Sequence, residues 1–241
     1  MNRSKSNLPL EIIENRLTGI PLFAVLDAAE RRALAERLMP RRMLKGQPVF
    51  LQGDPGDEMY LLVEGRIRIC CESLSGREVT LDFLKDGGFF GDMALLDGEP
   101  RSATAIAETA GHLLVLRRTD FQAFLNGCPN AGVALLAFLS RRLRSANDKI
   151  QDLALLTVRQ RLAAMLVDLA FKEGESTPQG VLLSKTVSHK ALSGLLGTSR
   201  ETVSRMCAEL KDLGLIEQQG RRLLVRQVDG LKEIFADAGV R

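Results

Sequence analysis

The stretch Phe90-Gly91-Asp92-Met93-Ala94-Leu95-Leu96-Asp97-Gly98-Glu99-Pro100-Arg101-Ser102-Ala103-Thr104 concentrates groups suited to a sugar phosphate. Arg101 offers a planar cation matched to phosphate oxygens, and Ser102 a hydroxyl donor beside it. Asp92 offers an acceptor for a sugar hydroxyl. Gly91 opens a short helical turn whose free N–H groups can face an anion. A purely structural alternative is that Asp92 and Arg101 pair with each other.

A second set of residues lies near the C-terminus. Ser188 can cap a short helix carrying Ala191, Leu192, Leu195 and Leu196 on one face, and Gly197 breaks it. Thr198-Ser199-Arg200-Glu201 has the form of a capping box, so a second helix is expected to start at Thr198. Its Val203, Met206, Cys207, Leu210 and Leu213 share one face, while Arg200, Glu201, Ser204, Arg205 and Ala208 share the other. Two short helices joined by a tight glycine turn, the second with a polar outer face, form a helix-turn-helix. The first turns of such a helix meet base edges in the major groove. There arginine donates two bonds to guanine and glutamate accepts from cytosine. Arg200, Glu201, Ser204 and Arg205 are placed for this. Ser188, His189, Lys190 and Ser199 are placed to meet phosphates and set register. Glu201 has the alternative of only capping its helix. Leu215-Ile216 and Arg221 to Val225 read as a β-hairpin wing, with Arg221 and Arg222 beside the phosphate backbone.

These groups need a frame, and the chain supplies three textures. Residues 8–38 read as helical. Residues 40–118 hold short apolar runs punctuated by glycine turns at Gly46, Gly53-Asp54-Pro55-Gly56, Gly65, Ser75-Gly76, Gly87-Gly88 and Gly98. That rhythm predicts a β-sandwich or jelly roll, with Met59–Val63 a buried strand and a hairpin at Ser75-Gly76. Residues 131–156 then run without a break after Gly132. Leu136, Leu139, Leu143, Ala146, Ile150 and Leu153 repeat at alternating steps of three and four, a heptad seam that favours a partner helix over a helix lying on its own domain. Arg141, Arg142, Arg144, Asp148, Lys149 and Asp152 occupy the opposite side. A further helix at 158–171 and a polar loop at Lys172–Gly180 complete the reading. The fold class is α+β. The expected domains are a sensor at 20–130, a dimerisation helix at 131–156 and a winged helix-turn-helix at 157–230.

The net charge of +3 says little, but residues 182–226 carry 8 basic and 4 acidic side chains while the preceding residues balance. A basic C-terminal module on a neutral body fits a polyanion. No apolar run is long enough to cross a membrane, and no signal peptide is read, so a cytoplasmic protein is expected. Cys70, Cys71, Cys128 and Cys207 are scattered and read as free thiols. No metal site and no enzyme are expected, because paired catalytic His/Asp/Ser groups and a P-loop are lacking.

Gly197-Thr198-Ser199-Arg200-Glu201-Thr202-Val203-Ser204-Arg205 resembles the recognition helix of the CRP/FNR superfamily, the cyclic-AMP receptor and fumarate–nitrate reduction regulators. The stretch from Phe90 to Thr104 resembles the phosphate-binding cassette of its cyclic-nucleotide-binding domains. The resemblance runs over roughly residues 20–226 in the order β-roll, long helix, winged helix-turn-helix. It implies that Arg200, Glu201 and Arg205 read bases in palindromic, TGTGA-like half-sites. It implies that Arg101 and Ser102 bind phosphate, that Asp92 binds the ribose where a glutamate is usual, and that Gly91 and Met93 line the cassette. On the long helix, Ala146 and Asn147 stand where hydroxyl residues meet the adenine; only Asn147 retains a hydrogen-bonding side chain. Cyclic AMP is the first effector implied, with cyclic GMP, another ligand, a redox signal or none as alternatives. A homodimer on double-stranded DNA, in contact with RNA polymerase as an activator, is the implied assembly. The superfamily's iron–sulfur sensors need clustered cysteines, and the N-terminal region holds none; for a haem sensor His112 could serve as axial ligand, but it reads first as a packed or surface side chain.

Overall fold

The computed structural model describes residues 8–20, 22–72, 78–183 and 188–236. It divides into two compact units, 1–142 and 143–241.

In the first unit, α1 (Leu10–Thr18) and α2 (Ala28–Ala35) precede a β-roll. The expected helical run is thus two helices. Asp27 caps the second one, its carboxylate accepting from Glu30 N–H while the Glu30 carboxylate accepts from Asp27 N–H. The roll contains β1 (Met39–Met43), β2 (Pro48–Phe50), β3 (Glu58–Glu64), β4 (Ile67–Glu72), β5 (Glu78–Leu84), β6 (Phe89–Phe90), then α3 (Asp92–Asp97), β7 (Thr104–Ala107) and β8 (Gly111–Arg117). One sheet runs β1-β8-β3-β6 and the other β2-β7-β4-β5. The turn expected at Ser75-Gly76 lies outside the described residues, although β4 and β5 pair antiparallel on either side of it.

Strand β3 shows why its apolar run is continuous rather than alternating. Met59 and Leu61 face a core with Phe23, Leu114 and Phe121, while Tyr60 and Leu62 face a second core with Ile67, Phe90 and Leu113. A strand buried on both faces needs apolar side chains at every position. The roll continues into α4 (Arg118–Gly127) and α5 (Pro129–Leu155). Phe121, Phe124, Ala131 and Leu135 from these helices are buried in the first core. Leu139 packs partly against it, but Leu136, Leu143, Ile150 and Leu153 are 59–66% exposed. A helix resting its seam on its own domain would bury them.

The second unit opens with the end of α5 and α6 (Val158–Glu173), capped by Thr157. The segment expected as a loop is instead a hairpin: β9 (Gly174–Thr177) pairs with β10 (Gly180–Leu183). It folds back because Gly180 takes φ 138 and Thr177 Oγ1 donates to the Gly180 carbonyl. Then come α7 (His189–Leu196), α8 (Arg200–Asp212), β11 (Ile216–Gln219), β12 (Arg222–Val225) and α9 (Val228–Ala236). The sheet order is β11-β12-β10-β9. Among the described residues no single helix is long and apolar enough to cross a membrane.

Candidate functional site

Two clusters carry chemistry, one in each unit. In the first, β6 delivers the chain to Gly91, whose φ of 79 is left-handed. A side chain there would also strike Arg101: an added Cβ lies 2.8 Å from Nη1. Glycine is therefore required twice over at this corner.

Arg101 is only 4% exposed. Nη1 donates to the Gly91 carbonyl at 2.8 Å and Nη2 to the Glu58 carbonyl at 2.6 Å. The guanidinium lies over the Phe50 ring, 4.3 Å from its centroid, and farther from Tyr60. Its Nε is buried without a hydrogen-bond partner among the described residues. Burial lowers its pKa, opposed by the Tyr60 phenol and by the carboxylates of Asp57, Glu58 and Asp54. A buried guanidinium with an unused donor has strong reason to accept an anion.

Asp92 is 1% exposed and does not pair with Arg101. Both of its oxygens accept from Arg142 Nη1 on α5, each at 3.1 Å. Ser102 is exposed, and its hydroxyl donates to Met93 Sδ at 3.6 Å. The Cys71 thiol donates to the Ser102 carbonyl at 3.4 Å. Gly91, Asp92, Met93, Arg101 and Ser102 thus come together. Asn147 belongs to the second unit and is exposed on α5.

Sequence reasoning placed Arg142 only on the side of the long helix opposite the seam and overlooked Glu58 and Phe50. Their partners lie far off in sequence, so no local spacing could reveal them. All four thiols are raised in pKa, chiefly by burial, and Cys70 reaches about 11 with Glu78 adding repulsion. Such thiols stay protonated, which disfavours oxidant sensing. Among the described residues no group of three or more His, Cys, Asp or Glu could hold a metal ion.

In the second unit, Ser188 caps α7 by accepting from Ala191 N–H at 3.1 Å. His189 is half-buried and Lys190 exposed. The cap of α8 lies one residue beyond the expected Thr198. Gly197 is left-handed, and Thr198 N–H bonds back to the Ser193 carbonyl at 3.1 Å, so Thr198 closes α7. Ser199 becomes the cap, accepting from Thr202 N–H at 3.1 Å. The Glu201 carboxylate meets its own backbone N–H and the Ser199 hydroxyl, which lower its pKa and keep it ionised.

Leu192, Leu196, Val203, Cys207 and Leu210 are buried together. Arg200, Glu201, Ser204 and Arg205 are all exposed, as is Ser199. The paired helices therefore present one polar face from the start of α8. In the wing, Gly220 turns the β11–β12 hairpin and Arg221 is exposed. Arg222 is committed elsewhere: Nε donates to the Leu183 carbonyl at 2.8 Å and Nη2 lies 2.9 Å from Glu175. It ties the wing to β10, because its side chain points back along the sheet rather than outward.

Comparison with known proteins matches both clusters. Residues 40–128 match a cyclic nucleotide-binding domain and residues 160–234 a Crp-like helix-turn-helix domain. The chain is 37% identical to the cyclic AMP receptor protein of Thermus thermophilus over 90% of its own length and 98% of the relative's. The crystal structure of the catabolite activator protein of Thermus thermophilus is similar at 35% identity and a TM-score of 0.53, covering 90% of this chain and 99% of that one. The cyclic-di-GMP-responsive global regulator CLP of Xanthomonas campestris is similar at 28% identity and a TM-score of 0.73, covering 83% and 99% respectively.

Proposed function

The chain belongs to the CRP family of transcription regulators, with a cyclic nucleotide-binding domain and a Crp-like DNA-binding helix-turn-helix, and from that membership we propose that it is a homodimer gated by a cyclic nucleotide, cyclic AMP first. The sensor spans residues 20–130, the dimerisation helix 131–156 and the DNA-binding domain 157–230. The observation that carries the effector reading is the buried guanidinium of Arg101, whose Nε has no hydrogen-bond partner among the described residues and whose neighbour in sequence is the exposed Ser102. Arg101, Ser102 and the backbone around Gly91 and Met93 would take the phosphate, Asp92 the ribose, and Asn147 the base. The effector acts only through a difference in affinity between two arrangements of the dimer.

On DNA, Arg200, Glu201, Ser204 and Arg205 read bases, with Ser188, His189, Lys190 and Ser199 on the backbone. Two recognition helices of a dimer serve half-sites about 34 Å apart on one face of a palindrome, TGTGA-like in sequence. Activation runs through contact of the β9–β10 hairpin with RNA polymerase.

A second reading is favoured by Asp92, both of whose oxygens are held by Arg142. A ribose carboxylate already satisfied from within suits a regulator that needs no nucleotide. One experiment separates the two readings. The purified protein is titrated calorimetrically with cyclic AMP and with cyclic GMP, and its affinity for a palindromic duplex is measured with and without each. Cyclic AMP binding that tightens the DNA complex supports the gated dimer. Tight DNA binding indifferent to both nucleotides supports the second reading.

A further inference from the structure

Arg118, the first residue of α4, is far from any motif, yet its guanidinium makes more carbonyl bonds than Arg101 does. Nη1 donates to the Leu95 carbonyl at 2.9 Å, and Nη2 to the Ala94 and Gly56 carbonyls, each at 2.7 Å. Its backbone N–H donates to the Asp57 carbonyl at 2.8 Å. Ala94 and Leu95 lie in α3; Gly56 and Asp57 lie in the loop before β3.

Arg101 grips the same two segments from the other end. It holds the Gly91 carbonyl just before α3 and the Glu58 carbonyl just after the loop. Its backbone is bonded to that loop as well, Arg101 N–H to the Asp54 carbonyl and Gly53 N–H to the Arg101 carbonyl. The two grips meet at Gly56. A Cβ there would fall 2.6 Å from Ala94 Cβ and 2.8 Å from Arg101 Cζ. Whatever fixes Gly56 and Ala94 therefore fixes one wall of the Arg101 guanidinium.

We infer that Arg118 is a positioning residue for the anion site, acting through Gly56 and α3 on Arg101. Charge-assisted bonds to carbonyls are stronger than neutral ones, and three from one planar group leave little rotational freedom. With Arg118 gone, α3 and the 53–58 loop separate, and Arg101 loses the backing that aims its Nε. The inference rests on the reading of Arg101 as the phosphate group, and its test is arranged to tell the two apart.

The variants are Arg118→Met, which keeps the stem and removes the fork, Arg118→Lys, which keeps the charge alone, and Gly56→Ala, which opens the same joint from the other side. Hydrogen exchange is followed in the full-length, ligand-free protein, with residues 188–213 as the internal reference for intact folding. Calorimetric titration with cyclic AMP follows. Loss of these bonds is expected to speed exchange at Met93–Asp97 about tenfold or more and to weaken cyclic AMP by a similar factor in all three variants. Full rescue by lysine would mean that charge, not the three-carbonyl fork, is what matters, and would overturn the inference. Unchanged exchange at α3 would overturn it too, as would loosened exchange with undiminished cyclic AMP affinity. If the unaltered protein binds no cyclic nucleotide, the effector reading falls by itself. The clamp is then decided by exchange alone, standing if α3 loosens in Arg118→Met and Arg118→Lys and falling if it does not.

Discussion

Arg142 Nη1 sits 3.1 Å from each carboxylate oxygen of Asp92, joining the long helix to the start of α3 across fifty residues of sequence. Asp92 is buried while Arg142 is half-exposed, so the pair is asymmetric. Removing Arg142 strands a buried carboxylate, whereas removing both charges leaves no buried charge unpaired. Arg142→Ala is expected to lower the stability of the first unit by about 1–3 kcal/mol, the cost of a fully buried pair discounted for the exposed partner. Asp92→Asn combined with Arg142→Ala should lose less than the two single changes summed. A double-mutant cycle by urea denaturation measures this. Additivity within about 0.5 kcal/mol would mean the pair is not formed in solution.

The cap of α8 gives a finer test. Ser199 accepts the Thr202 N–H, and Thr198 belongs to the preceding turn. Ser199→Ala should therefore cost about 1 kcal/mol of stability in the second unit, and Thr198→Ala much less. Thermal unfolding of the two variants decides it. The reverse order would put the helix start at Thr198.

Arginines of the DNA-binding unit should separate by role. Arg200→Ala should cost about 1–3 kcal/mol of specific binding and relax base preference. Arg221→Ala should weaken all duplexes alike and reduce the salt slope by about one. Arg222, bonded to Leu183 and Glu175, should act on wing stability instead, leaving the salt slope near that of the unaltered chain. Anisotropy titrations over a range of salt distinguish the three. Retained site selectivity in Arg200→Ala would remove that residue from the base-reading set.

The thiols set an alkaline prediction. In the folded chain burial and Glu78 raise Cys70 from 9.0 to about 11. Between those values the unfolded chain gives up the proton first, so stability present below pH 9 declines as the pH rises toward 11. Cys70→Ala should flatten that decline in urea melts taken at stepped pH. Native thiols should also label slowly with a disulfide reagent at neutral pH. Rapid labelling of Cys70 there would mean that the site is open and its thiolate accessible.

Local chemistry was readable wherever its partners were near in sequence. The Ser188 cap, the Gly197 break and the buried face from Val203 to Leu210 all follow from spacing within one or two turns. The continuous run Met59–Val63 showed a buried strand because both of its faces are covered. The cap moved to Ser199 because the αL turn at Gly197 uses up Thr198, a competition that the T-x-x-E pattern does not reveal. Lys172–Gly180 looked like a loop because its polar residues hide a strand pairing set by Gly180. What escaped altogether was long-range: the grip of Arg142 on Asp92, and the carbonyls held by Arg101 and Arg118. Backbone carbonyls carry no side-chain signature, so no residue type could announce them.

The long helix holds the remaining test. Leu143 and Ile150 are each 63% exposed, one heptad apart, on a helix whose Ala131 and Leu135 are buried in the first unit's core. Bringing such a seam against a second copy buries apolar area at roughly 25 cal/mol per Å². A charge at either position would be trapped between helices in the dimer, yet remain solvated in a single chain. Leu143→Asp and Ile150→Asp are therefore expected to dissociate the dimer while leaving the thermal transition of the β-roll in place. Sedimentation velocity, compared with the unaltered chain at equal concentration, gives the answer. If both variants sediment as the unaltered chain does, the seam is not the interface. If they unfold, these side chains are needed within one chain and the exposed heptad is not a docking face.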